Sequence, residues 1–187
     1  MRSLDRCDRC LFQLRVCLCS AIPTVVTATR VIVVRHYLER HRTSNSGRLA
    51  HLALVNSEIV DHGGEGGLAK LPPLDGAVLL FPEGEPMTAP PAVAPTQVIA
   101  LDATWSQARR MYRKLDALRG VPMVRLPDRG VDRERMRESP EPGHVSTLEA
   151  IAGALRCFGD AHAADALDAL YALAVERTRM TGRLRRS

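Results

Sequence analysis

The chain has 187 residues, enough for one domain whose core buries on the order of 70% of the unfolded surface without crosslinks. A composition of 45% hydrophobic and 25% charged residues is that of a globular protein and excludes a disordered chain. No apolar run approaches the ~20 residues that cross a bilayer, and the polar first residues lack the apolar core of a signal peptide. We therefore expect a cytoplasmic protein that does not span a membrane.

The net charge of +5 favours anionic partners, and of the 26 basic residues only Lys70 and Lys114 are lysines. Arginine suits phosphate and base recognition because its planar guanidinium donates two parallel hydrogen bonds. A GC-rich genome, which encodes arginine in preference to lysine, explains the same bias. The charge therefore permits a nucleic acid partner without requiring one.

Near the N-terminus, four of the five cysteines follow the spacing C-x2-C-x6-C-x-C. Without a secretory signal, disulfides are disfavoured and a metal site is the leading explanation. Four thiolates close a tetrahedral zinc site and leave no position for water, which predicts a structural ion. The predicted zinc ligands are Cys7, Cys10, Cys17 and Cys19. The alternative is a cluster of free or redox-active thiols, whereas Cys157 fits a small buried position in a helix.

Beyond Pro23, apolar runs alternate with helical patterns along the chain. Unbroken apolar runs are typical of parallel strands covered on both faces, and four occur, at residues 31–34, 76–81, 98–101 and 121–126. Helices are indicated by a stretch at 48–56 and by apolar stripes at 108–115, 148–155 and 167–174. Loops rich in Gly and Pro are expected at 62–67, 82–95 and 127–143, and the last two are long enough to favour a binding role. This alternation predicts an α/β fold.

The strongest candidate site is Asp102-Ala103-Thr104-Trp105, where an apolar run ends and a helix begins. Thr104 and Gln107 fit a T-x-x-Q capping box, which gives Thr104 a structural role. Asp102 is not needed for that cap, and ligands of open α/β sheets bind outside the carboxyl ends of strands. Asp102 is therefore a candidate catalytic group; alternatively, it only favours the helix N-terminus.

Further segments suit a binding site. A basic ridge on the following helix could contact phosphates, although a solvated helix face looks the same. Gly84 lets a ligand approach the backbone of Phe81–Glu85, and Ser44–Gly47 offers caps and ligand hydrogen bonds. Ser146–Glu149 is an S-x-x-E capping box. The absence of a Walker A loop, of G-x-G-x-x-G and of H-x-E with P-C-x-x-C argues against P-loop ATPases, Rossmann dehydrogenases and zinc deaminases.

Taken in order, these segments resemble the DTW-domain family, the tRNA-uridine aminocarboxypropyltransferases. The similarity covers nearly the whole chain, in five segments: the four-cysteine head, His36-x2-Glu39 with Arg42 and 44–49, Phe81-Pro82-x-Gly84, Asp102-x-Thr104-Trp105, and Ser146–Glu149. It implies a SPOUT-like fold, a mostly parallel sheet with helices on both faces and a C-terminal trefoil knot, over residues 25–187. A zinc segment over residues 1–24 precedes it.

The resemblance also implies a reaction, the transfer of the 3-amino-3-carboxypropyl group of S-adenosylmethionine to N3 of a tRNA uridine. Asp102 is then the expected general base, because the N3 proton must leave. The expected partners are tRNA and S-adenosylmethionine, with the chain as a monomer or homodimer. An RNA methyltransferase of SPOUT type and a non-catalytic zinc-containing RNA-binding module are the alternatives.

The residues expected to bind S-adenosylmethionine are Phe81, Pro82, Glu83, Gly84, Glu85, Thr104, Trp105, Leu126, Ser146, Thr147 and Glu149. Trp105 could instead stack on the uridine or pack in the core. The residues expected to bind RNA are Arg42, Asn45, Arg48, Arg109, Arg110, Arg113 and Lys114.

Overall fold

A parallel sheet lies between two layers of helices in the computed structural model, which describes residues 5–127, 136 and 145–182. The strands are β1 Arg30–His36, β2 Ser57–His62, β3 Ala77–Pro86, β4 Gln97–Asp102 and β5 Met123–Arg125. The helices are α1 Ser46–Ala53, α2 Trp105–Lys114, α3 Thr147–Cys157 and α4 Ala161–Met180. Within these residues the strand order is β2-β1-β4-β3-β5, and neighbouring strands pair in parallel. The predicted α/β fold with a mostly parallel sheet is confirmed.

Both faces of the sheet are covered, which explains the unbroken apolar runs. Val31, Val33 and Val98 pack with α1, α3 and α4 in one core cluster. Ile32 and Ile99 pack against α2 in a second cluster on the other face. Because strand side chains alternate between faces, an apolar residue at every position requires an apolar layer on each side.

The edge strand β2 has no counterpart among the predicted strands. Its sequence, Ser57–His62, is largely polar, and its first four residues are only half-buried. An edge strand pairs on one side only and needs no continuous apolar run, so the pattern that identified the central strands does not detect it.

Strand β3 is longer than the apolar run that predicted it. The loop expected at 82–95 begins only after Pro86, because Glu85 and Pro86 pair with Val124 and Arg125 of β5. Leu80 also pairs with Val124, so the four residues between Leu80 and Glu85 bulge away from β5. The expectation that the loop starts at Pro82 was wrong.

The helices begin at the predicted caps. Thr104 with Gln107 and Ser146 with Glu149 form complete capping boxes at the starts of α2 and α3. The side chain of Asn45 accepts a hydrogen bond from the Arg48 backbone N–H, so α1 begins at Ser46 and ends at Ala53, short of the predicted 48–56. Capping residues therefore identified helix starts more sharply than apolar spacing did.

The cysteine-rich head packs onto the main body of the molecule. Cys10, Phe12, Val16 and Leu18 are buried in the same cluster as α1, α3 and α4. The division into residues 1–24 and 25–187 stays a prediction, as does the trefoil knot. The loop predicted at 127–143 lies outside the described residues apart from its first residue and Met136. Among the helices described, none has the length and apolar character needed to span a membrane.

Candidate active site and metal centre

Polar side chains stand at the carboxyl ends of β1, β2 and β4, in two groups that strand register separates. Arg35 pairs in register with Asp61 on one side and Asp102 on the other. His36, the next residue, pairs with His62. Because successive side chains point to opposite faces, the first group lies on the α1 and α3 face and the second on the α2 face. We call Arg35, Asp61 and Asp102 the aspartate row, and His36 and His62 the histidine pair.

Asp102 is almost completely enclosed, with 1% of its surface exposed. One carboxylate oxygen accepts a hydrogen bond from the Asn45 side-chain amide, and the other accepts one from the Thr147 hydroxyl at 2.7 Å. Asn45 precedes α1 and Thr147 opens α3, while the Leu148 backbone N–H donates to the Ser46 hydroxyl at 3.3 Å. Asp102 therefore ties the N-termini of two helices to the end of β4.

The close approach of α1 to Asp102 depends on Gly47. A Cβ added to Gly47 would lie 2.8 Å from Asp102 Cγ and 3.0 Å from Val33 Cγ1, closer than van der Waals contact. Both neighbours are buried, so neither can move aside cheaply. Gly47 is needed here because a side chain would not fit between α1 and these two residues.

The other half of the aspartate row is an ion pair. Arg35, which is 6% exposed, donates two hydrogen bonds to Asp61, at 2.7 and 3.1 Å. Burial by itself would raise the pKa of Asp61, but the Arg35 hydrogen bonds and the charges of Arg35, Arg40 and Arg48 lower it instead. This pair joins β1 to the edge strand β2 and holds a charged carboxylate beside the candidate site.

The residues expected to bind S-adenosylmethionine lie along the carboxyl edge of β3, β4 and β5, but several have structural contacts there. Phe81 is 7% exposed and its ring packs 5.6 Å from that of Tyr112 in α2. A Cβ on Gly84 would lie 2.6 Å from the β5 backbone, so this glycine permits strand approach. Glu83 forms an ion pair with Arg109 at 3.0 Å.

The remaining members of this set line the same edge or begin the helices beside it. Ser146 and Glu149 cap α3, and Thr147 binds Asp102. Pro82 lies in the bulge of β3, and Glu85 follows it where β3 rejoins β5. The other three are half-buried or exposed at the ends of β5 and the start of α2: Leu126, Thr104 and Trp105. The register thus brings the predicted segments to one edge of the sheet.

The basic residues expected to bind RNA divide into several environments. Arg42 lies 3.4 Å from Glu39, and Arg48 donates to the backbone carbonyls of Arg9 and Arg40. Asn45 is 3% exposed and is engaged with Asp102 and the α1 backbone. In α2, Arg109 pairs with Glu83 and Arg113 donates to the Arg109 carbonyl. Arg110 and Lys114 instead line a cavity.

That cavity has a volume of about 280 Å³ and lies between the histidine pair and α2. We call it the histidine pocket. Its polar and aromatic lining residues are His36, Tyr37, His62, Gln107, Arg110 and Lys114. The sequence predicted no role for His36, Tyr37 or His62. His36, two residues beyond the apolar run 31–34, was a signal that could have suggested one, whereas His62 ends a strand that was not predicted.

The pKa values of both pocket histidines are lowered. Burial lowers the pKa of His36 against the opposing charge of Glu39. Burial also lowers the pKa of His62, and the charges of His36 and Lys114 add to the effect. In each ring Nδ1 accepts a backbone N–H, from Leu38 at 3.3 Å and from Ala69 at 3.4 Å respectively. The proton of each neutral ring is therefore on Nε2.

The four cysteines of the head converge as their spacing predicts. Their sulfur atoms all lie within 4.8 Å of one another, with Cys7 and Cys19 at 3.5 Å and Cys10 and Cys17 at 3.7 Å. A tetrahedral zinc with Zn–S bonds of ~2.3 Å separates its sulfurs by about 3.8 Å. The backbone N–H of Cys10 lowers the pKa of Cys7 to about 7, whereas burial raises the pKa of Cys19 to about 12. The donor set and its dimensions fit a closed zinc site.

Fold and site together define a parallel α/β protein with its polar groups at the carboxyl edge of the sheet and a four-cysteine cluster beside its core. A family model described as the DTW domain matches residues 4–179. The chain therefore belongs to the DTW-domain family, as its motifs predict.

Among curated proteins, the chain is similar to the tRNA-uridine aminocarboxypropyltransferase 2 of Drosophila melanogaster. The two are 24% identical over 164 residues, which cover 81% of this chain. The chain spans 65% of the length of that relative. No solved structure matches the chain.

Proposed function

We propose that this protein modifies tRNA by transferring the 3-amino-3-carboxypropyl group of S-adenosylmethionine to N3 of a uridine. The observation that carries this proposal is the DTW-domain match over residues 4–179, together with the name of the Drosophila relative. The structure supports it because the aspartate of the D-x-T-W segment stands at the carboxyl end of a central parallel strand. Ligands of open α/β sheets bind at that position.

The co-substrate site that we propose lies on the bulge of β3, the end of β5 and the start of α3. Glu85, Leu126 and Ser146 offer a carboxylate, an apolar side chain and a hydroxyl to an amino acid joined to a nucleoside. S-adenosylmethionine, when bound, supplies the electrophilic Cγ carbon of its aminocarboxypropyl group. Holding that carbon, and not the methyl group, in line with the uridine nitrogen determines which group is transferred.

Asp102 is the proposed general base, and its hydrogen bonds suggest how a buried carboxylate accepts the N3 proton. Thr147 is half-buried, and its hydroxyl already donates to Asp102. As N3 bonds to Cγ, the Cγ–S bond would break and 5′-methylthioadenosine would leave with its electron pair. The N3 proton passes to Thr147 Oγ1 while the hydroxyl proton passes to Asp102 Oδ1. Thr147 thus ends with the same number of protons, and Asp102 is protonated. Asn45 stabilises the other carboxylate oxygen throughout.

One labelling experiment tests the transfer. Purified protein is incubated with tRNA and S-adenosylmethionine labelled separately in its methyl and aminocarboxypropyl groups, and the modified nucleosides are analysed by mass spectrometry. We expect the aminocarboxypropyl label on uridine. The methyl label on tRNA would instead indicate a methyltransferase, and no label would indicate an RNA-binding module. The Asp102→Asn variant controls for contaminating activity.

We further propose that the head binds one structural zinc ion through Cys7, Cys10, Cys17 and Cys19. The closed set of sulfurs leaves no position for substrate, so loss of the metal acts through folding. We expect one zinc per chain by elemental analysis of the purified protein and none in a Cys7→Ser/Cys10→Ser variant. Cys157→Ser, outside the cluster, is the matched control and should keep the metal. Stoichiometric zinc in the double variant would contradict the ligand assignment.

A further inference from the structure

The histidine pocket has no part in the proposed transfer, because it opens on the opposite face of the sheet from Asp102. Its wall nevertheless contains donors without partners. Nδ1 of His36 and of His62 is occupied by a backbone N–H, and neither Nε2 has a hydrogen-bond partner among the described residues. His62 is 6% exposed and lines the cavity, so its Nε2–H is available to a ligand there. A ligand with acceptor atoms in this cavity would give both imidazole N–H groups a hydrogen-bond partner.

The charge of the pocket favours an anion. Arg110 and Lys114 both line it and are one helical turn apart on α2, whereas no carboxylate is among its described lining residues. Arg109 and Arg113, on the same helix, are directed elsewhere and contact Glu83 and the Arg109 carbonyl. The four basic residues of α2 therefore form two pairs with different surroundings. One of these pairs supplies two cations to a concave site.

Tyr37 adds a flat aromatic surface. Its side chain is attached just after β1, and its ring lies 4.8 Å from the His36 ring. The residue is 43% exposed, yet the ring is supported from behind by two glycines at positive φ, Gly63 at 89° and Gly64 at 65°. A Cβ on either glycine would lie about 3 Å from that ring. The ring is thus held in place with much of its surface uncovered, as in proteins that stack a base on an aromatic side chain.

We propose that the histidine pocket binds one nucleotide of the RNA substrate, with its phosphate on Arg110 and Lys114 and its base against Tyr37. The two imidazole Nε2–H groups and the Gln107 amide are then donors for the carbonyl oxygens of a uracil ring. The volume, about 280 Å³, lies just below the ~300–1,000 Å³ of pockets for larger ligands and suits a single nucleotide. This inference rests on the proposed function, because it takes the ligand to be part of an RNA.

Direct binding of uridine 5′-monophosphate to the full chain tests the pocket without the transfer reaction. The histidine rings are labelled with ¹³C, and their resonances are followed by NMR while the nucleotide is added. We expect the resonances of His36 and His62 to shift with one common Kd, while that of His162, on α4, stays in place. Unshifted His36 and His62 resonances at the solubility limit of the nucleotide would overturn the proposal.

Two double variants that remove the same charge, and two variants of Tyr37, sharpen the test. Arg110→Ala/Lys114→Ala should weaken binding of uridine 5′-monophosphate at least about tenfold, because two charge-assisted contacts are lost. Arg109→Ala/Arg113→Ala removes the same charge from the same helix and should change the Kd by less than about twofold. Equal weakening by both would indicate general electrostatic attraction and contradict a specific site. Tyr37→Ala should weaken binding about tenfold, whereas Tyr37→Phe keeps the ring and should not.

Two further titrations separate the possible ligands. Inorganic phosphate alone should bind at least about tenfold more weakly than the nucleotide, and equal binding would overturn the role of the base. S-adenosylmethionine should leave both histidine resonances unshifted. If S-adenosylmethionine shifts them and the nucleotide does not, the pocket belongs to the co-substrate. Transfer to tRNA without nucleotide binding would refute the pocket and leave the proposed function standing. Nucleotide binding without transfer would support the pocket and refute the proposed function.

Discussion

The aspartate row and the histidine pair lie one residue apart on the same strands, yet their surroundings are opposite. Asp102 and Arg35 are enclosed, and their polar atoms are engaged with Asn45, Thr147 and Asp61. The histidine pair faces a cavity with two donors directed at no described partner. Strand alternation produces this difference, because a shift of one residue moves a side chain from the α1 and α3 layer to the α2 layer. One end of the sheet therefore holds an enclosed carboxylate and an open pocket back to back.

The largest effect is expected for Asp102→Asn, which should lower kcat by roughly 10²–10⁴ and change KM little. The introduced amide fits the same space: its oxygen can accept from Asn45, and its nitrogen can donate to the Thr147 hydroxyl. Thr147 then has no acceptor for its own proton, so proton transfer through it stops. Turnover is measured with labelled S-adenosylmethionine, and thermal unfolding checks the fold. Full turnover in a folded variant would exclude Asp102 as the base and turn attention to Glu83 or Glu85.

Thr147 provides the matched control for that experiment. Thr147→Ser keeps the hydroxyl and should keep most of the activity, whereas Thr147→Val removes it and should lower kcat by about 10²-fold. Partial rescue of Thr147→Val at higher pH is expected, because the uridine then ionises without help. Similar activity in both Thr147 variants would restrict this residue to a structural contact with Asp102.

A smaller effect, on stability, should come from Gly47→Ala, since the closed side of the sheet has no room for a methyl group. Overpacking of a buried site typically lowers the free energy of unfolding by about 1–3 kcal/mol. Urea denaturation measures it, and activity should fall as well because the new Cβ presses on Asp102. Gly66→Ala is the control: a Cβ there meets nothing within 4 Å, and its stability should be unchanged within about 0.5 kcal/mol. Equal stability of the two variants would show that α1 can move away from β4.

The smallest effect concerns the pH dependence of the free energy of unfolding, to which the histidine pocket contributes. The folded protein lowers the pKa of His36 and His62 through burial, whereas unfolded histidines titrate near ~6.5. The unfolded state therefore binds more protons as the pH falls below ~6.5, and the free energy of unfolding decreases over that interval. The pKa of the half-buried His51 is lowered by burial and by the charges of Arg35 and Arg48, which adds a decrease of the same sign. Urea denaturation at pH 7.5 and 5.5 should show the loss.

His62→Asn isolates the contribution of the pocket to that pH dependence. It removes one of the histidines with a lowered pKa, so the difference in stability between the two pH values should shrink. His162→Asn, at the exposed start of α4, controls for the effect of the His→Asn substitution itself. An unchanged difference in His62→Asn would show that His62 does not share in the pH effect.

The sequence predicted the central strands and the longer helices, since each carries a pattern that burial dictates. It did not predict β2, whose polar residues pair on one side only. The capping boxes of Thr104 and Ser146 were predicted correctly because such caps are local in the sequence. The sequence could not predict which distant residues contact each other. Asn45 and Thr147 are 57 and 45 residues from Asp102 and contact it only because of the topology.

The same dependence on topology explains why the sequence predicted only part of the site. Asp102 was placed correctly at a strand end, but its enclosure depends on how closely α1 and α3 approach, which Gly47 determines through its lack of a side chain. Phe81 and Gly84, which the resemblance assigns to the co-substrate, pack against Tyr112 and β5. His62 could not be paired with His36 without β2 and its register.

The packing of the head has a consequence for how the protein responds to metal supply. Phe12, Val16 and Leu18 belong to the same core as α4, so a zinc ion held by the head is thermodynamically linked to folding of the whole domain. A ligand that binds only the folded state stabilises it by RT ln(1 + [L]/Kd), so the folded fraction rises with free zinc. Chelation should therefore speed amide hydrogen exchange in α4, far along the chain from the cysteines. Zinc availability would then limit the amount of folded protein.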